Sequence, residues 1–319
     1  MYLNDIMLDK LIMNALSEDV GTGDITTEST IPETARAHGL YKAKESGVLC
    51  GIGVAARVFE LIDRDIEFTP LKRDGDRIEK GEIIAEVRGK ATNVLTGERV
   101  GLNLMQRMSG IATRTAEAVA QVEGTGAKIC DTRKTTPGLR VVEKYAVKVG
   151  GGTNHRFNLA DGILIKDNHI VAAGSITNAV RAARANAPHT LKIEVEVETF
   201  DELNEALDVG ADIIMLDNMS CEDMKKAVGI VNGRAVTEAS GNMGDRNLRE
   251  VADCGVDLIS IGALTHSVRS LDISLKFRIE LGDPDGKDKR HSLDGRIHDI
   301  RRRGHTRGRS RRLLRGEQV

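Results

Sequence analysis

The sequence contains no tryptophan, and aromatic residues make up only 3% of its 319 residues. A core built from this composition must rely on valine, isoleucine, leucine, methionine and alanine, because few large rings are present to be buried. Strands rich in such aliphatic residues are typical of parallel sheets that are covered on both faces. The composition therefore favours a buried parallel sheet over an aromatic-rich β-sandwich.

Cysteine is scarce as well, and long hydrophobic runs are missing. The four cysteines are widely scattered, without a C-x-x-C pair or a histidine at metal-ligand spacing, so neither a zinc site nor a disulfide framework is indicated. No apolar run approaches the roughly 18 residues of a membrane span. The N-terminal residues MYLNDIMLDK carry two acids and no basic leader. We therefore expect a reduced, cytoplasmic protein.

Charge is unevenly distributed along the chain. The formal net charge is −2, yet residues 282–319 carry 12 Lys and Arg against 6 Asp and Glu, which makes the tail +6 and the remainder −8. The tail could be an arm for nucleic acid, but it has no aromatic residues on which bases could stack. We expect a disordered basic extension and no nucleic-acid partner.

The first part of the chain predicts a small α+β domain. Apolar residues recur at helical spacing over residues 5–17, and between residues 35 and 86 β-like runs alternate with Gly and Asp-Gly turns around a helical piece near 53–62. Residues 92–121 then form one long predicted helix that is apolar on most sides. Its narrow polar stripe contains Arg99, and the pattern fits a solvated charge and a functional one equally well.

From residue 127 onward, short apolar runs alternate with helical segments. Repeated βα units with buried β-branched strands predict a parallel sheet, and six or more of them indicate an α/β barrel, complete or partial. The predicted strands are the runs AKICD at 127–131, GILIK at 162–166, LKIEVEV at 191–197, DIIMLD at 212–217, AVTEAS at 235–240 and DLISIG at 257–262. The helices between the later strands are predicted at 201–209, 220–231 and 245–254.

Five of the cationic side chains within residues 131–170 lie at strand ends or just after three consecutive glycines. Such a placement rarely serves packing alone, and it predicts a site for an anion with several negative charges. The five residues are Arg133, Lys134, His155, Arg156 and Lys166.

Carboxylates mark the ends of neighbouring predicted strands. Glu194 and Glu196 point to the same face of their strand, and Asp217 ends the next one. A buried face cannot carry unpaired carboxylates, so this face either lines a wet barrel mouth or lies on an exposed edge, and the parallel pattern disfavours the edge. Glu196 and Asp217 could hold a Mg²⁺ ion that bridges a diphosphate, because hard oxygen ligands suit this ion. The alternative for Glu196 is an ion pair with Lys166 or Lys192.

Small residues follow the last two predicted strands. Ser240, Gly241 and Asn242 follow one strand, and a segment from Gly262 to His266 follows the other. Backbone N–H groups in such loops bind phosphate, and the loops after the last strands of α/β barrels often do so. The pair of loops therefore predicts a phosphate site.

Long motifs in this order resemble a known family, nicotinate-nucleotide pyrophosphorylase (carboxylating), also called quinolinate phosphoribosyltransferase. They are LSEDVGTGDITT, GERVGLNLMQRMSGIAT, DTRKTTPGLR, GGGTNHRFNLADGILIKDNH, EVEVET, IIMLDN, EASGN and SIGALTHS, and they cover roughly residues 5–276. The resemblance implies the reaction of quinolinate with phosphoribosyl pyrophosphate, giving nicotinate mononucleotide, CO₂ and pyrophosphate in NAD biosynthesis with Mg²⁺. It also implies an obligate homodimer in which one subunit's N-terminal domain covers its partner's barrel mouth.

The domain organisation implied by the resemblance is an N-terminal α/β sandwich at residues 1–115 and an incomplete α/β barrel at 116–267. A C-terminal helix at 268–281 is expected to return to the first domain, and the tail follows at 282–319.

Roles carry over by matching motif positions. The resemblance makes Lys134 the lysine at the reacting centre, and Arg99 the arginine contributed by the partner subunit. It makes Glu196 and Asp217 the acids that hold the ribose hydroxyls and Mg²⁺. The implied quinolinate-binding cations are Arg133, His155, Arg156 and Lys166, and the implied phosphate-loop positions are Ser240, Gly241, Asn242, Gly262 and His266. Asn242 departs from the Gly-Gly that is more usual in this family.

Two other functions compete with this interpretation. A paralogue resembling the molybdenum-transport-associated ModD proteins would act on another phosphoribosyl acceptor, but the full set of cations for two carboxylates argues against it. A non-catalytic protein that binds a nucleotide or a nucleic acid, mainly through its basic tail, would leave Glu196 and Asp217 without a role.

Overall fold

A computed structural model describes residues 5–280 of the chain. The basic tail and its predicted disorder lie outside the described residues. Within the described part, no helix combines the length and the apolar character needed to cross a membrane.

The described residues form eleven α-helices and twelve β-strands. The helices are α1 Asp5–Val20, α2 Ile25–Thr30, α3 Ile52–Ile62, α4 Ala91–Gln121, α5 Arg140–Val149, α6 Asp167–Ala173, α7 Ile176–Asn186, α8 Phe200–Asp208, α9 Cys221–Val231, α10 Leu248–Ala252 and α11 Ala263–His266. The strands are β1 Arg36–Ala43, β2 Gly47–Val48, β3 Glu67–Pro70, β4 Arg77–Ile78, β5 Ile83–Lys90, β6 Lys128–Cys130, β7 Ile163–Ile165, β8 Ile193–Val197, β9 Ile213–Asp217, β10 Val236–Ser240, β11 Leu258–Ser260 and β12 Ile273–Glu280.

The N-terminal domain is a two-layer α/β sandwich. Its antiparallel sheet has the order β12-β1-β5-β3, and α3 and α4 pack together beside it. Buried side chains such as Tyr41, Phe59 and Ile84 fill the space between the layers. The predicted α+β domain is therefore present, with α3 at the position of the predicted helical piece.

The predicted C-terminal helix is wrong. Residues 273–280 form strand β12, which pairs antiparallel with β1, so the segment joins the N-terminal sheet as a strand. Its sequence ISLKFRIE alternates apolar and polar residues with the period of two that belongs to a strand. Ile273 and Leu275 are buried on the sheet's inner side, whereas a helix would have turned them to different faces.

The C-terminal part is an incomplete α/β barrel. Its six parallel strands have the order β6-β11-β10-β9-β8-β7, and each lies inside one of the six predicted runs. In the described chain β6 and β7 are the two edges of this sheet, and Thr153 adds a single bridge to Cys130 at the β6 edge. All six carboxyl ends face one side, which forms the barrel mouth.

Two of the three predicted later helices agree with the structure to within one residue, and the third is shorter. The region 245–254 begins with a 3₁₀ turn at Met243–Asp245, and α10 starts only at Leu248. The Asn247 side chain accepts hydrogen bonds from the backbone N–H groups of Arg249 and Glu250, which fixes the helix start at this point.

Helix α4 connects the two parts of the fold. It continues without a break across residues 115 and 116, where the domain boundary was predicted, and its buried residues contribute to both hydrophobic cores. Close packing on this helix needs Gly110, because a Cβ atom there would lie 2.2 Å from the carbonyl oxygen of Arg269.

Gly110→Ala should therefore destabilise the protein by about 1–3 kcal/mol, the usual cost of overpacking a core. The matched control is Gly53→Ala on α3, where an added Cβ meets nothing within 4 Å and should stabilise by about 0.5 kcal/mol. Urea denaturation of both variants measures the difference. Similar unfolding midpoints for the two would contradict the tight contact between α4 and the chain at Arg269.

Candidate functional site

The barrel mouth contains a cavity of about 270 Å³. The cavity is lined by Thr132, Arg133, Lys134, His155, Arg156, Leu164, Lys166, Met215, Glu238 and Ser260. All five cations predicted from residues 131–170 thus line one cavity, because the ends of β6 and β7 and the loop between them meet at the mouth.

The two arginines of this cavity are short of partners. The Nε atom of Arg133 is buried and has no hydrogen-bond partner among the described residues. Arg156 donates from Nη1 to the carbonyl of Gly162 at 3.0 Å. Burial and the neighbouring Arg133 guanidinium both lower the pKa of Arg156. Two guanidinium groups held this close repel each other, which an anion between them would relieve.

A buried ion pair fixes the glycine-rich loop that carries His155 and Arg156. Lys144 on α5 and Asp131 after β6 are both fully buried, with Nζ and Oδ1 2.5 Å apart. Asp131 also accepts hydrogen bonds from the His155 backbone N–H at 2.8 Å and from Asn154 Nδ2 at 2.7 Å. Lys144 donates a second hydrogen bond to the carbonyl of His155 at 3.0 Å.

The imidazole of His155 is engaged at both ring nitrogens. Its Nδ1 accepts a hydrogen bond from the Arg156 backbone N–H at 2.8 Å. Its Nε2 lies 3.1 Å from Glu194 Oε2 and 3.7 Å from Glu238 Oε1. In this arrangement the ring faces the two buried carboxyl groups, and the contact with a substrate carboxylate that the resemblance implies stays a prediction.

Glu238 is the most buried acid facing the cavity, at 1% exposure. Burial and the neighbouring Glu194 carboxylate raise its pKa to about 7, although His155, a hydrogen bond from Ser260 and Lys166 oppose the shift. The pKa of His155 is raised despite its own burial, because Glu194 and Glu238 stabilise the charged ring.

The two acids predicted as Mg²⁺ ligands lie at the ends of neighbouring strands. Glu196 on β8 is paired with Lys166, which was the alternative considered for it, and Asp217 ends β9. Asp217 accepts a hydrogen bond from the side chain of Asn218 at 2.6 Å. Two carboxylates at a wet strand end suit Mg²⁺, which binds one or two protein carboxylates together with substrate phosphates.

The loop after β10, a predicted phosphate loop, begins with two residues of positive φ. Gly241 has φ 94°, and a Cβ atom there would lie 2.2 Å from Asn218 Oδ1. Asn242 has φ 50°, a left-handed conformation that asparagine adopts more readily than most residues. The departure from Gly-Gly at this position therefore leaves the turn intact.

The second predicted phosphate loop lies beside the catalytic lysine candidate. A Cβ atom on Gly262 would lie 3.0 Å from Cδ of Lys134 and 3.1 Å from the ring of His266. His266 is exposed, and its Nδ1 lies 2.6 Å from the Ser267 hydroxyl. The structure thus brings these two loops to the same side of the mouth as Lys134.

A second buried acid, Glu143, holds the Lys134 loop in place. Arg107 on α4 donates to Glu143 Oε1 at 2.8 Å and to the carbonyl of Thr265 at 3.0 Å. Thr265 in turn donates from its hydroxyl to the carbonyl of Lys134 at 2.8 Å. Glu143 Oε2 accepts from the Thr136 backbone N–H at 3.1 Å, so this network ties both loops to α4.

Arg99 stands apart from this site. It is exposed on α4, does not line the barrel cavity, and makes no hydrogen bond or ion pair with any residue in the described range 5–280. The structure of one chain therefore does not bring it to the other cations.

Sequence reasoning missed Lys144 and Glu143 as supports of the site. A signal was present, because Val141, Lys144 and Val147 lie on one face of the α5 pattern and charged residues interrupt an otherwise apolar face. A buried lysine in such a position must have a buried acid as its partner.

The fold and the site define a class: an α/β-barrel protein whose mouth gathers cations and acids for a ligand with several anionic groups. Residues 24–109 match the family Quinolinate phosphoribosyl transferase, N-terminal domain, and residues 111–276 match its C-terminal domain. The chain belongs to the quinolinate phosphoribosyl transferase family.

Curated relatives and solved structures agree with this assignment. The chain is 48% identical over 273 residues to a probable nicotinate-nucleotide pyrophosphorylase [carboxylating] of Bacillus subtilis, covering 86% of this chain and 94% of that protein. It is 43% identical over 296 residues to the chloroplastic enzyme of that name from Arabidopsis thaliana, covering 86% and 84%. The crystal structure of NadC from Streptococcus pyogenes is similar with a TM-score of 0.83 at 44% identity, covering 88% of this chain and 100% of that one.

Lys144→Met should destabilise the protein by about 3–5 kcal/mol, because it leaves the Asp131 carboxylate buried without a counter-ion. Adding Asp131→Asn should recover part of this loss, since the uncompensated charge disappears. The control is Arg249→Met, which breaks an exposed ion pair with Asp253 and should cost less than about 1 kcal/mol. Urea denaturation tests this, and a double variant no more stable than Lys144→Met would contradict it.

Proposed function

We propose that this protein is a quinolinate phosphoribosyltransferase, which converts quinolinate and phosphoribosyl pyrophosphate to nicotinate mononucleotide, CO₂ and pyrophosphate in NAD biosynthesis. Family membership and the names of its relatives support the reaction. These relatives give no support to the ModD-like alternative. We also propose a cytoplasmic location, in keeping with four cysteines that are all free thiols.

The observation that carries the proposal is the pair of arginines in the barrel cavity. Arg133 has a buried N–H group without a partner, and Arg156 lies close enough for the two charges to repel. Quinolinate carries two adjacent carboxylates, which can accept from both guanidinium groups at once. Lys134, which is exposed and makes no ion pair in the described chain, adds a third positive charge beside the reacting centre.

The carboxyl-end acids serve the phosphoribosyl donor. We propose that Glu196 and Asp217 hold the ribose hydroxyls and a Mg²⁺ ion, while the loops at Ser240–Asn242 and Gly262–His266 bind phosphate through backbone N–H groups. When bound, Mg²⁺ would offset the negative charge that develops on the leaving pyrophosphate. Glu196 and quinolinate are both anionic partners for Lys166 at the mouth. The Lys166 ammonium can therefore move from Glu196 to quinolinate when Mg²⁺ and the substrates are bound.

Displacement at the anomeric carbon passes through a state resembling an oxocarbenium ion. Glu196 and Asp217 provide negative charge near the ribose that favours such a state. The cations around quinolinate hold its ring nitrogen in line with the anomeric carbon, so that the bond forms as pyrophosphate leaves. The pyridine nitrogen becomes positively charged, and it can then stabilise the electron pair left when the adjacent carboxylate departs.

We further propose that the active unit is a homodimer with shared sites. The support is Arg99, which is exposed and lacks a partner among residues 5–280. A two-fold interface would place this arginine at the mouth of the partner's barrel. The cation there would add to the charge that binds quinolinate.

Substrate selectivity follows from the two arginines. Nicotinate lacks one carboxylate, and each charged hydrogen bond lost costs about 1.5–3 kcal/mol. The kcat/KM for nicotinate should therefore be lower than that for quinolinate by about a hundredfold or more. Steady-state assays with phosphoribosyl pyrophosphate and Mg²⁺ measure the ratio, and Arg133→Met should reduce it. Equal turnover of both acids would refute the quinolinate assignment.

A mixing experiment tests the shared site. Arg99→Ala and Glu196→Ala should each form inactive homodimers, because every site then lacks one group. In a mixed dimer one site collects both defects and the other has neither. Random re-association makes about half of the dimers mixed, so that roughly a quarter of wild-type activity should return.

The control outcomes separate the possible roles of Arg99. An Arg99→Ala protein with nearly full activity would show that the residue is a solvated helix charge. An inactive variant that mixing does not restore would show that Arg99 acts within its own subunit. Both results would contradict the shared site.

A further inference from the structure

The floor of the barrel cavity is formed by two carboxyl groups and one imidazole. Glu194 on β8 and Glu238 on β10 point inward from alternate strands, and in most barrels such a layer is filled by branched apolar side chains. The acceptor atoms of Glu194, Glu238 and His155 all lie within 4.8 Å of one another. Two acids at 4% and 1% exposure need a reason to be there.

The hydrogen-bond donors around this floor are too few for two carboxylates. His155 can offer only the N–H at Nε2, because Nδ1 already accepts from the Arg156 backbone. The Oε1 atoms of Glu194 and Glu238 are buried and have no hydrogen-bond partner among the described residues. The Ser260 hydroxyl is a further donor to Glu238, but two ionised carboxylates would still repel each other in a site of low polarity. This geometry favours a protonated Glu238.

Glu238 is the acid that faces the substrate. It lines the mouth cavity together with His155, whereas Glu194 lines only the cavity behind it. The groups that face Glu238 from the surrounding elements are Glu194, His155, Ser260, Lys166 and Cys130. Glu194 favours the protonated form of Glu238, whereas His155, Lys166 and a hydrogen bond from Ser260 oppose it only in part.

The proposed reaction needs a proton donor at this place. When the carboxylate at C2 of the ring leaves as CO₂, the electron pair of the broken C–C bond stays on C2 beside the cationic nitrogen. That carbon must then accept one proton. The guanidinium groups of Arg133 and Arg156 are poor acids, and the ammonium groups of Lys134 and Lys166 serve as fixed positive charges beside the substrate.

We propose that Glu238 is the general acid that protonates C2 as CO₂ leaves, in the same step, with His155 and Glu194 as the residues that position it. The inference rests on the proposed function. The carboxyl proton of Glu238 moves to C2, where it forms the new C–H bond with the electron pair left by CO₂, and Glu238 becomes a carboxylate. Solvent returns the proton before the next turnover.

A second cavity offers a route for that return. It has a volume of about 470 Å³ and shares His155, Arg156 and Glu238 with the substrate cavity. Its other walls include Lys192, Ile213 and Leu258, which lie at the amino ends of β8, β9 and β11. Glu238 therefore lies between the substrate and a separate cavity on the far side of the barrel. Water there can reprotonate it while the mouth is occupied.

The variant Glu238→Gln tests the assignment, because glutamine keeps the shape and cannot supply this proton. In a single turnover with quinolinate, phosphoribosyl pyrophosphate and Mg²⁺, pyrophosphate should form at close to the wild-type rate. Formation of nicotinate mononucleotide should be slower by about a hundredfold or more, the usual contribution of a general acid. The dicarboxylated nucleotide should accumulate in proportion to enzyme. Glu60→Gln, the same substitution at an exposed acid on α3 that does not line the cavity, is the control and should slow neither step.

The isotope content of the product identifies the group that donates the proton. In an equal mixture of H₂O and D₂O, the hydrogen-to-deuterium ratio at C2 of the product should differ between the wild type and Glu238→Gln, because two different groups deliver the proton. An identical ratio, or product formation as fast as in the wild type, would overturn the role of Glu238. Equal slowing of pyrophosphate and product formation would also overturn it, since that would indicate a structural role.

The wild-type enzyme allows a further test that needs no variant, so that a failure to fold cannot affect the result. The carboxyl of Glu238, whose pKa is about 7, is protonated below that pH and ionised above it. The single-turnover rate of decarboxylation should therefore fall as pH rises above about 7, by about tenfold per unit, while pyrophosphate formation does not follow it. A flat decarboxylation rate through this range would refute the proposal. Wild-type enzyme that forms no pyrophosphate from quinolinate would instead refute the proposed function itself.

Discussion

The buried ion pair between Asp131 and Lys144 is the interaction on which the site depends. Neither side chain touches solvent, and burying two charges costs free energy that their attraction repays only with good geometry and further hydrogen bonds. Here Asp131 also accepts hydrogen bonds from the His155 backbone N–H and from Asn154, and Lys144 also donates to the His155 carbonyl. The same contacts that make the pair tolerable thus fix the loop that carries His155 and Arg156.

The Arg107–Glu143 network applies the same principle to the other side of the mouth. Glu143 is fully buried and the Arg107 side chain is 25% exposed, so the charge pair lies at the edge of the core. Its hydrogen bonds reach the loops of Lys134 and Thr265, which belong to distant parts of the sequence. Both networks start on the apolar face of α5, which explains why two charged residues stand in that helix.

Much of this fold could be predicted from the sequence, because hydrophobic periodicity is a local signal. All six barrel strands lie within predicted runs, and α4 starts one residue before its predicted position. The region 268–281 was misjudged although ISLKFRIE alternates with the period of a strand. Its partner β1 lies more than two hundred residues earlier in the chain, and this pairing cannot be recognised from a local pattern.

The five cations that line the cavity could be predicted from the sequence, but their contacts could not. Strand ends placed Lys166, Glu196 and Asp217 at the mouth, since parallel strands end on one side. Which nitrogen of His155 faces which partner depends on the loop's backbone path, and the sequence carries no signal for that. The same holds for the unpartnered Nε of Arg133, which results from the absence of a nearby acceptor among the described residues.

Two carboxylates of β8 lie at different distances from the barrel mouth and therefore have different environments. Glu194 and Glu196 point to the same face, and two residues along a strand separate them by roughly 6–7 Å. Glu196, near the mouth, forms an ion pair with the Lys166 ammonium. Glu194 lies deeper, opposite an imidazole that must also serve Glu238. The outer acid thus has a cation of its own, whereas the inner acids share one imidazole, and burial beside Glu194 raises the pKa of Glu238.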